Sequence, residues 1–162
     1  MQVKASMAFC NSEWLGAPFD SIRFVANDTD HVSVGGGSHS GRSMRLVSIA
    51  AHDAVEAIKA KARAIASHVL DVPADSLAFG DFGFTAKDGR HFDLWQAAEA
   101  ARTLNSLPAD LRGGLEGIGD IVNRAGGYPY GAHVCEAEVD PETGFTRIVA
   151  WTGVILCGRL VG

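Results

Sequence analysis

Apolar and polar positions alternate along this chain with two different periods, and the change of period marks its elements. From Gln2 to Leu15, apolar side chains at Val3, Met7, Phe9, Cys10, Trp14 and Leu15 fit one amphipathic helix, closed by Gly16 and Pro18. Ser21–Val25 alternates like a short strand and opens into a turn-favouring cluster, Asn27-Asp28-Thr29-Asp30. The strongest signal runs from Arg42 to about Val69. There Leu46, Ile49, Ala50, Val55, Ile58, Ala62, Ile65, Ala66 and Val69 recur at helical spacing, with no Gly or Pro before Pro73. At 1.5 Å per residue such a helix would span roughly 40 Å, enough to cross a domain.

Beyond a turn at Val72–Leu77 the period shortens. Strands are predicted at Leu77–Phe79, Phe82–Thr85 and His91–Phe92, with a Lys87-Asp88-Gly89 hairpin signal between the last two. Asp93 is placed to cap a helix over Leu94–Leu104, with Trp95, Ala98, Ala101 and Leu94 on its apolar face. Leu115–Val122, Ala132–Val139 and Phe145–Leu156 again alternate like strands, the last two joined by Asp140-Pro141-Glu142-Thr143-Gly144. This order predicts an α+β fold in which a long central helix packs on a small mixed or antiparallel sheet. With 162 residues and no repeat or linker, a single domain over residues 1–162 is expected.

Composition narrows the function more by exclusion than by suggestion. A net charge of −5 supplies no basic footprint for nucleic acid. The start, Met1-Gln2-Val3-Lys4-Ala5, lacks the apolar core of a secretory signal, and no apolar run reaches membrane-spanning length, so the cytoplasm is expected. Cys10, Cys135 and Cys157 are odd in number and too far apart for a zinc site or an iron–sulfur cluster, and read as reduced, buried thiols.

One segment has chemistry of its own. Val34-Gly35-Gly36-Gly37-Ser38-His39-Ser40 is small and polar, and it leads through Gly41, Arg42 and Ser43 into the long helix. Unpaired amides at a helix N-terminus and the helix dipole both favour an anion, serine hydroxyls add donors, and an arginine adds a charge suited to phosphate. The plainer reading, a Ser40 cap with glycines that merely turn the chain, accounts for the same residues.

Four segments in register resemble the molybdopterin-binding large subunit of the xanthine dehydrogenase/aldehyde oxidase family. They are Gln2-Val3-Lys4-Ala5-Ser6, Pro18–Arg23 with Asp28-Thr29-Asp30, Gly37-Ser38-His39-Ser40-Gly41-Arg42-Ser43-Met44, and Gly131–Gly144 continuing to Cys157-Gly158-Arg159. The resemblance implies an oxidoreductase subunit acting on aldehydes or N-heterocycles, with water as the oxygen source. It implies molybdopterin, in its plain or cytosine dinucleotide form, contacted by Gln2, Ser40, Gly41, Arg42 and Ser43. Met1 and Val3 stand where the family's glutamine loop has glycines, and Ile155-Leu156 stands where acidic residues are usual.

No residue of this chain takes a catalytic or metal-ligating role in this reading. The family's activating glutamate belongs to a Gly-x-Gly-Glu segment, a context that Glu116, Glu136 and Glu138 lack, and the family's base is not a histidine such as His39. His133 and Glu136, three apart, would face opposite sides of a strand and cannot act jointly on a metal. The expectation is a segment inactive alone, completed by other molybdenum hydroxylase subunits. The alternative is a stand-alone, non-catalytic relic that self-associates or binds a small anion.

Overall fold

The computed structural model describes residues 2–26, 28–30, 37, 42–121 and 130–155, with side chains of the first helix from residue 7 onward. Two compact units, residues 1–124 and 125–162, are each described by themselves.

In the first unit, helix α1 (Gln2–Leu15) ends at Gly16, whose φ of 68° is the left-handed conformation of a helix terminator. It packs along the 29-residue helix α2 (Arg42–Leu70), where Trp14 meets His52 edge to face at 5.2 Å. The C-terminus of α2 is closed without glycine. Asp71 takes φ 53°, the Val72 amide returns to the Ser67 carbonyl at 3.2 Å, and Arg90 Nη1 donates to the Leu70 carbonyl at 2.7 Å. These bonds satisfy end carbonyls that the helix itself leaves unpaired.

Strands β1 (Ala78–Gly80), β2 (Gly83–Thr85) and β3 (His91–Asp93) form an antiparallel meander. A two-residue turn, Asp81-Phe82, joins β1 to β2 with both φ values positive, 47° and 59°. The Ala86–Arg90 loop closes the second hairpin through Ala86 N to Arg90 O and Gly89 N to Ala86 O, both 2.9 Å. Asp93 then caps helix α3 (Leu94–Thr103) in a full capping box: its carboxylate accepts from the Gln96 amide, and Gln96 Oε1 accepts from the Asp93 amide.

The core lies where α2, α3 and this sheet meet. Ala62, Ile65, Ala66, Phe84 and Leu107 are essentially inaccessible. The predicted long helix on a small antiparallel sheet is the observed α+β architecture.

Four expectations need correction. Ser21–Val25 is not a strand. A single 3-10 turn (Phe19–Ser21) follows Pro18, with the Ser21 amide and hydroxyl both donating to the Pro18 carbonyl, and residues 22–26 continue without a ladder partner. The buried face of α3 is Leu94, Ala97, Ala100 and Ala101, whereas Trp95 is 63% exposed and rests on the Phe82 ring at 5.3 Å. Cys135 is exposed rather than buried, and Cys10 is half-buried.

The fourth correction concerns the alternating stretch beginning at Leu115, which pairs with no strand within residues 115–121. It lies against α2 through its glycines. A Cβ on Gly117 would overlap the Ala54 carbonyl and lie 2.9 Å from Ile58 Cγ1, and one on Gly119 would overlap the Ala50 carbonyl. Extended chain can approach a helix backbone this closely only where both sides are small.

The second unit is a hairpin, β4 (Gly131–Val139) antiparallel to β5 (Thr146–Ile155), with a register shift between Glu136 and Ala137. At its turn the Asp140 carboxylate accepts from the Glu142 amide at 2.8 Å and the Thr143 amide at 3.3 Å. Those bonds hold its carboxyl below the ordinary aspartate range, the Glu142 amide contributing most.

Two outcomes follow for stability. Gly119→Ala should lower the unfolding free energy in urea by about 1–3 kcal/mol, because a rigid backbone contact must open. Gly80→Ala, whose Cβ would meet nothing within 4 Å, should stay within about 0.5 kcal/mol. Equal effects of the two would refute the close approach.

For the hairpin turn, a depressed folded-state pKa means that the stabilisation is complete above the unfolded value. It is lost as pH falls through the folded one. Carboxyl-carbon NMR titration between about pH 5 and pH 2 should find Asp140 among the last aspartates to protonate, with the Glu142 amide losing protection in the same step. An ordinary Asp140 titration would contradict these bonds.

Candidate cofactor site

The N-terminal turn of α2 is the centre of the site. Helix geometry leaves its first amides without intrahelical acceptors, and the macrodipole places partial positive charge there. Side chains usually answer that charge with an acid. Here the first turn contains no acidic residue and begins with Arg42 and Ser43, with Arg45 next in line. An arginine at the first position of a 29-residue helix adds to the positive charge of that end rather than offsetting it.

Arg42, half-buried, also reaches back along the chain. Its Nε and Nη2 both donate to the Gly37 carbonyl, at 3.0 and 2.7 Å. Gly37 has φ 70°, a conformation that other residues adopt only with strain. This contact is the part of the site that sequence reasoning missed. A glycine five residues before an arginine carries no periodic signal, and only the positive φ shows which carbonyl is turned to meet it.

Of the residues singled out in the sequence, Arg42 and Ser43 open α2 side by side. Gln2 opens α1, so the segment aligned with a glutamine loop is helical from its first described residue. Ser40 and Gly41, with His39 and the glycines at 35 and 36, lie outside the described residues, as do Asn27 and Cys157.

The donor set suits a phosphate-bearing group: helix N-terminal amides, the Ser43 hydroxyl and the Arg42 guanidinium are all donors or cations. A carbonyl-lined or carboxylate-lined site would not fit it.

The other polar side chains singled out in the sequence lie on the hairpin or on the exposed side of α2. His133 Nδ1 accepts from Trp151 Nε1 at 3.3 Å on one face of the hairpin. Glu136 belongs to the opposite face, as strand alternation requires. Glu138 pairs with Arg147 across the strands. His52 and His68 are exposed on α2. Among the described residues, no three His, Cys, Asp or Glu side chains come together as a metal site, and no helix is long and apolar enough to cross a membrane. An apolar cleft of about 180 Å³ between α1 and α3, lined by Leu15, Ile22, Phe82, Leu94, Trp95 and Leu115, includes no titratable group.

Comparison with known proteins identifies the family. The profile of the molybdopterin cofactor-binding domain matches residues 3–161. Over 143 residues the chain is 32% identical to the 6-hydroxypseudooxynicotine dehydrogenase complex subunit gamma of Paenarthrobacter nicotinovorans, covering 88% of this chain and 18% of that protein. Over 149 residues it is 31% identical to the carbon monoxide dehydrogenase large chain of Afipia carboxidovorans, covering 91% of this chain and 18% of that one.

The crystal structure of the Cu,Mo-CO dehydrogenase in its carbon monoxide-reduced state superposes with a TM-score of 0.84 at 29% identity, over 96% of this chain and 20% of that chain. The chain thus spans about a fifth of the length of these relatives. They are a nicotine-derivative dehydrogenase and carbon monoxide dehydrogenases rather than a xanthine dehydrogenase or an aldehyde oxidase. The wider family is nevertheless shared: this chain belongs to the molybdopterin cofactor-binding domain family of the xanthine dehydrogenase-type molybdenum hydroxylases.

Proposed function

We propose that residues 1–162 serve as one cofactor-holding domain of a molybdenum hydroxylase, with the anionic end of molybdopterin at the N-terminus of α2. The observation that supports this reading is a first turn of α2 that opens with Arg42 and has no acidic residue. Family membership supplies an anionic ligand suited to it.

In this reading the amides of Ser40, Gly41 and Ser43 and the serine hydroxyls donate to the phosphate oxygens, plain or as part of a cytosine dinucleotide. Arg42 offsets its charge, and Gln2, at the start of α1, is a further cofactor contact. When bound, the molybdenum pterin supplies the redox centre for transferring oxygen from water to substrate. The chain's own residues bind and orient; none is assigned a proton transfer.

The substrate class proposed is an N-heterocycle or aldehyde. The likeness to a 6-hydroxypseudooxynicotine dehydrogenase subunit supports the former. Carbon monoxide is the alternative that the CO dehydrogenase large chains suggest. The catalytic glutamate would come from elsewhere in the assembly, so these residues alone should be inactive. The relatives are named as subunits or chains of larger proteins, which supports partner subunits. A net charge of −5 argues against nucleic acid as a partner, and a cytoplasmic location follows as part of the same proposal. A self-associating form is a second reading. It is favoured by Trp151, Val154 and Ile155 on the hairpin, each more than 60% exposed.

The test is pterin retention. Purified from a molybdopterin-producing host, the chain should yield fluorescent pterin after oxidation, and it should oxidise neither aldehydes nor N-heterocycles by itself. Ser43→Ala should retain several-fold less, the effect of one hydrogen bond to a charged group. Absence of pterin, together with no thermal shift by pyrophosphate, would leave a self-associating domain as the better account.

A further inference from the structure

We propose that Asp88-Gly89 is a modification site, where the backbone isomerises through a succinimide, and that Arg90 is the residue that keeps it closed. The inference is independent of the cofactor-holding function above, since it concerns a hairpin loop and the opposite end of α2.

Asp88-Gly89 is the one place in the sequence where an aspartate or asparagine precedes glycine. With no side chain, glycine leaves its amide nitrogen open to the neighbouring carboxyl. In the reaction the Gly89 nitrogen bonds to Asp88 Cγ, a Cγ–O bond breaks, and the amide proton leaves with that oxygen as water. Water then opens the ring at either carbonyl. One opening restores aspartate, and the other carries the chain through the side-chain carboxyl as isoaspartate. Water is the only co-reactant, and residues 87–90 are exposed to it.

Both reacting groups are engaged elsewhere. The Gly89 amide donates to the Ala86 carbonyl at 2.9 Å. Asp88 Oδ1 accepts from the Arg90 amide at 3.1 Å, and Oδ2 meets Arg90 Nε and Nη2, each at 2.8 Å. These partners also hold the carboxyl below the ordinary aspartate range, the Arg90 amide contributing most. Ring closure needs a neutral carboxyl, whose oxygen departs as water, so an ionised Asp88 held away from the Gly89 nitrogen is protected.

The same guanidinium is fixed from its other side. Arg90 Nη1 donates to the Leu70 carbonyl at 2.7 Å, where a cation suits the negative end of α2. Isoaspartate adds a methylene to the backbone and removes one from the side chain. That change moves the carboxylate off the Arg90 amide and guanidinium, so modification loosens the end of α2 together with the loop.

The full chain, kept in warm neutral buffer, is digested, and isoaspartate at residue 88 is read by methyl transfer from S-adenosylmethionine with an isoaspartyl methyltransferase. A synthetic peptide of residues 84–92 gives the rate with the loop open. The intact chain is expected to react about tenfold more slowly, the weight of one hydrogen bond to a charged group. Arg90→Ala should approach the peptide rate. Arg90→Lys keeps a cation without the two-point contact and should fall between them.

Equal rates in the intact chain and the peptide would overturn the proposal, as would a wild-type rate in Arg90→Ala. If Arg90→Ala does not fold, Arg90→Lys decides. Faster isoaspartate while amide exchange in the core stays slow supports the gate. An unchanged rate, or a rise only where core protection is lost as well, overturns it.

Discussion

The first unit depends on the small-residue surface of α2. Ala50 and Ala54 present bare helix carbonyls to Gly119 and Gly117, and Ala62 and Ala66, with no exposed area, admit the sheet and α3 to the same helix about two and three turns further on. Dispersion falls off steeply with distance, so bringing backbone to backbone recovers contacts that larger side chains would have prevented. Ile65 and Phe84 then fill the remaining space as the large inaccessible side chains of the core.

A helix anchored in this way acts as a beam. Its C-terminal end is fixed by Asp71, by the Ser67–Val72 bonds and by Arg90, while its middle is held by the core. Its N-terminal turn can therefore carry charges that an isolated helix would disfavour, because tertiary packing rather than propensity keeps it helical. Binding sites often impose such a local cost, and the rest of the fold absorbs it.

The hairpin unit follows a different logic. A two-stranded ribbon is marginally stable alone, and β4–β5 exposes both faces. The face carrying His133, Cys135 and Trp151 is the more apolar, and the other bears the Glu138–Arg147 pair.

The sequence by itself determined the local elements with strong periods or caps. These include α1 with its Gly16 stop, the full length of α2, the three-stranded meander, the Asp93 cap and the final hairpin. It also determined the family, because four motifs in register do not depend on packing. Tertiary structure decided what periodicity leaves open. The stretch from Leu115 alternates like a strand, yet with glycine at 117 and 119 its backbone met helix carbonyls instead of a ladder. Trp95 matched a helical stripe, but burial selected the face one residue away, centred on Leu94 and Ala97. The Arg42 side chain found its partner in a carbonyl turned by a positive φ, and no residue-type pattern records the direction of a carbonyl.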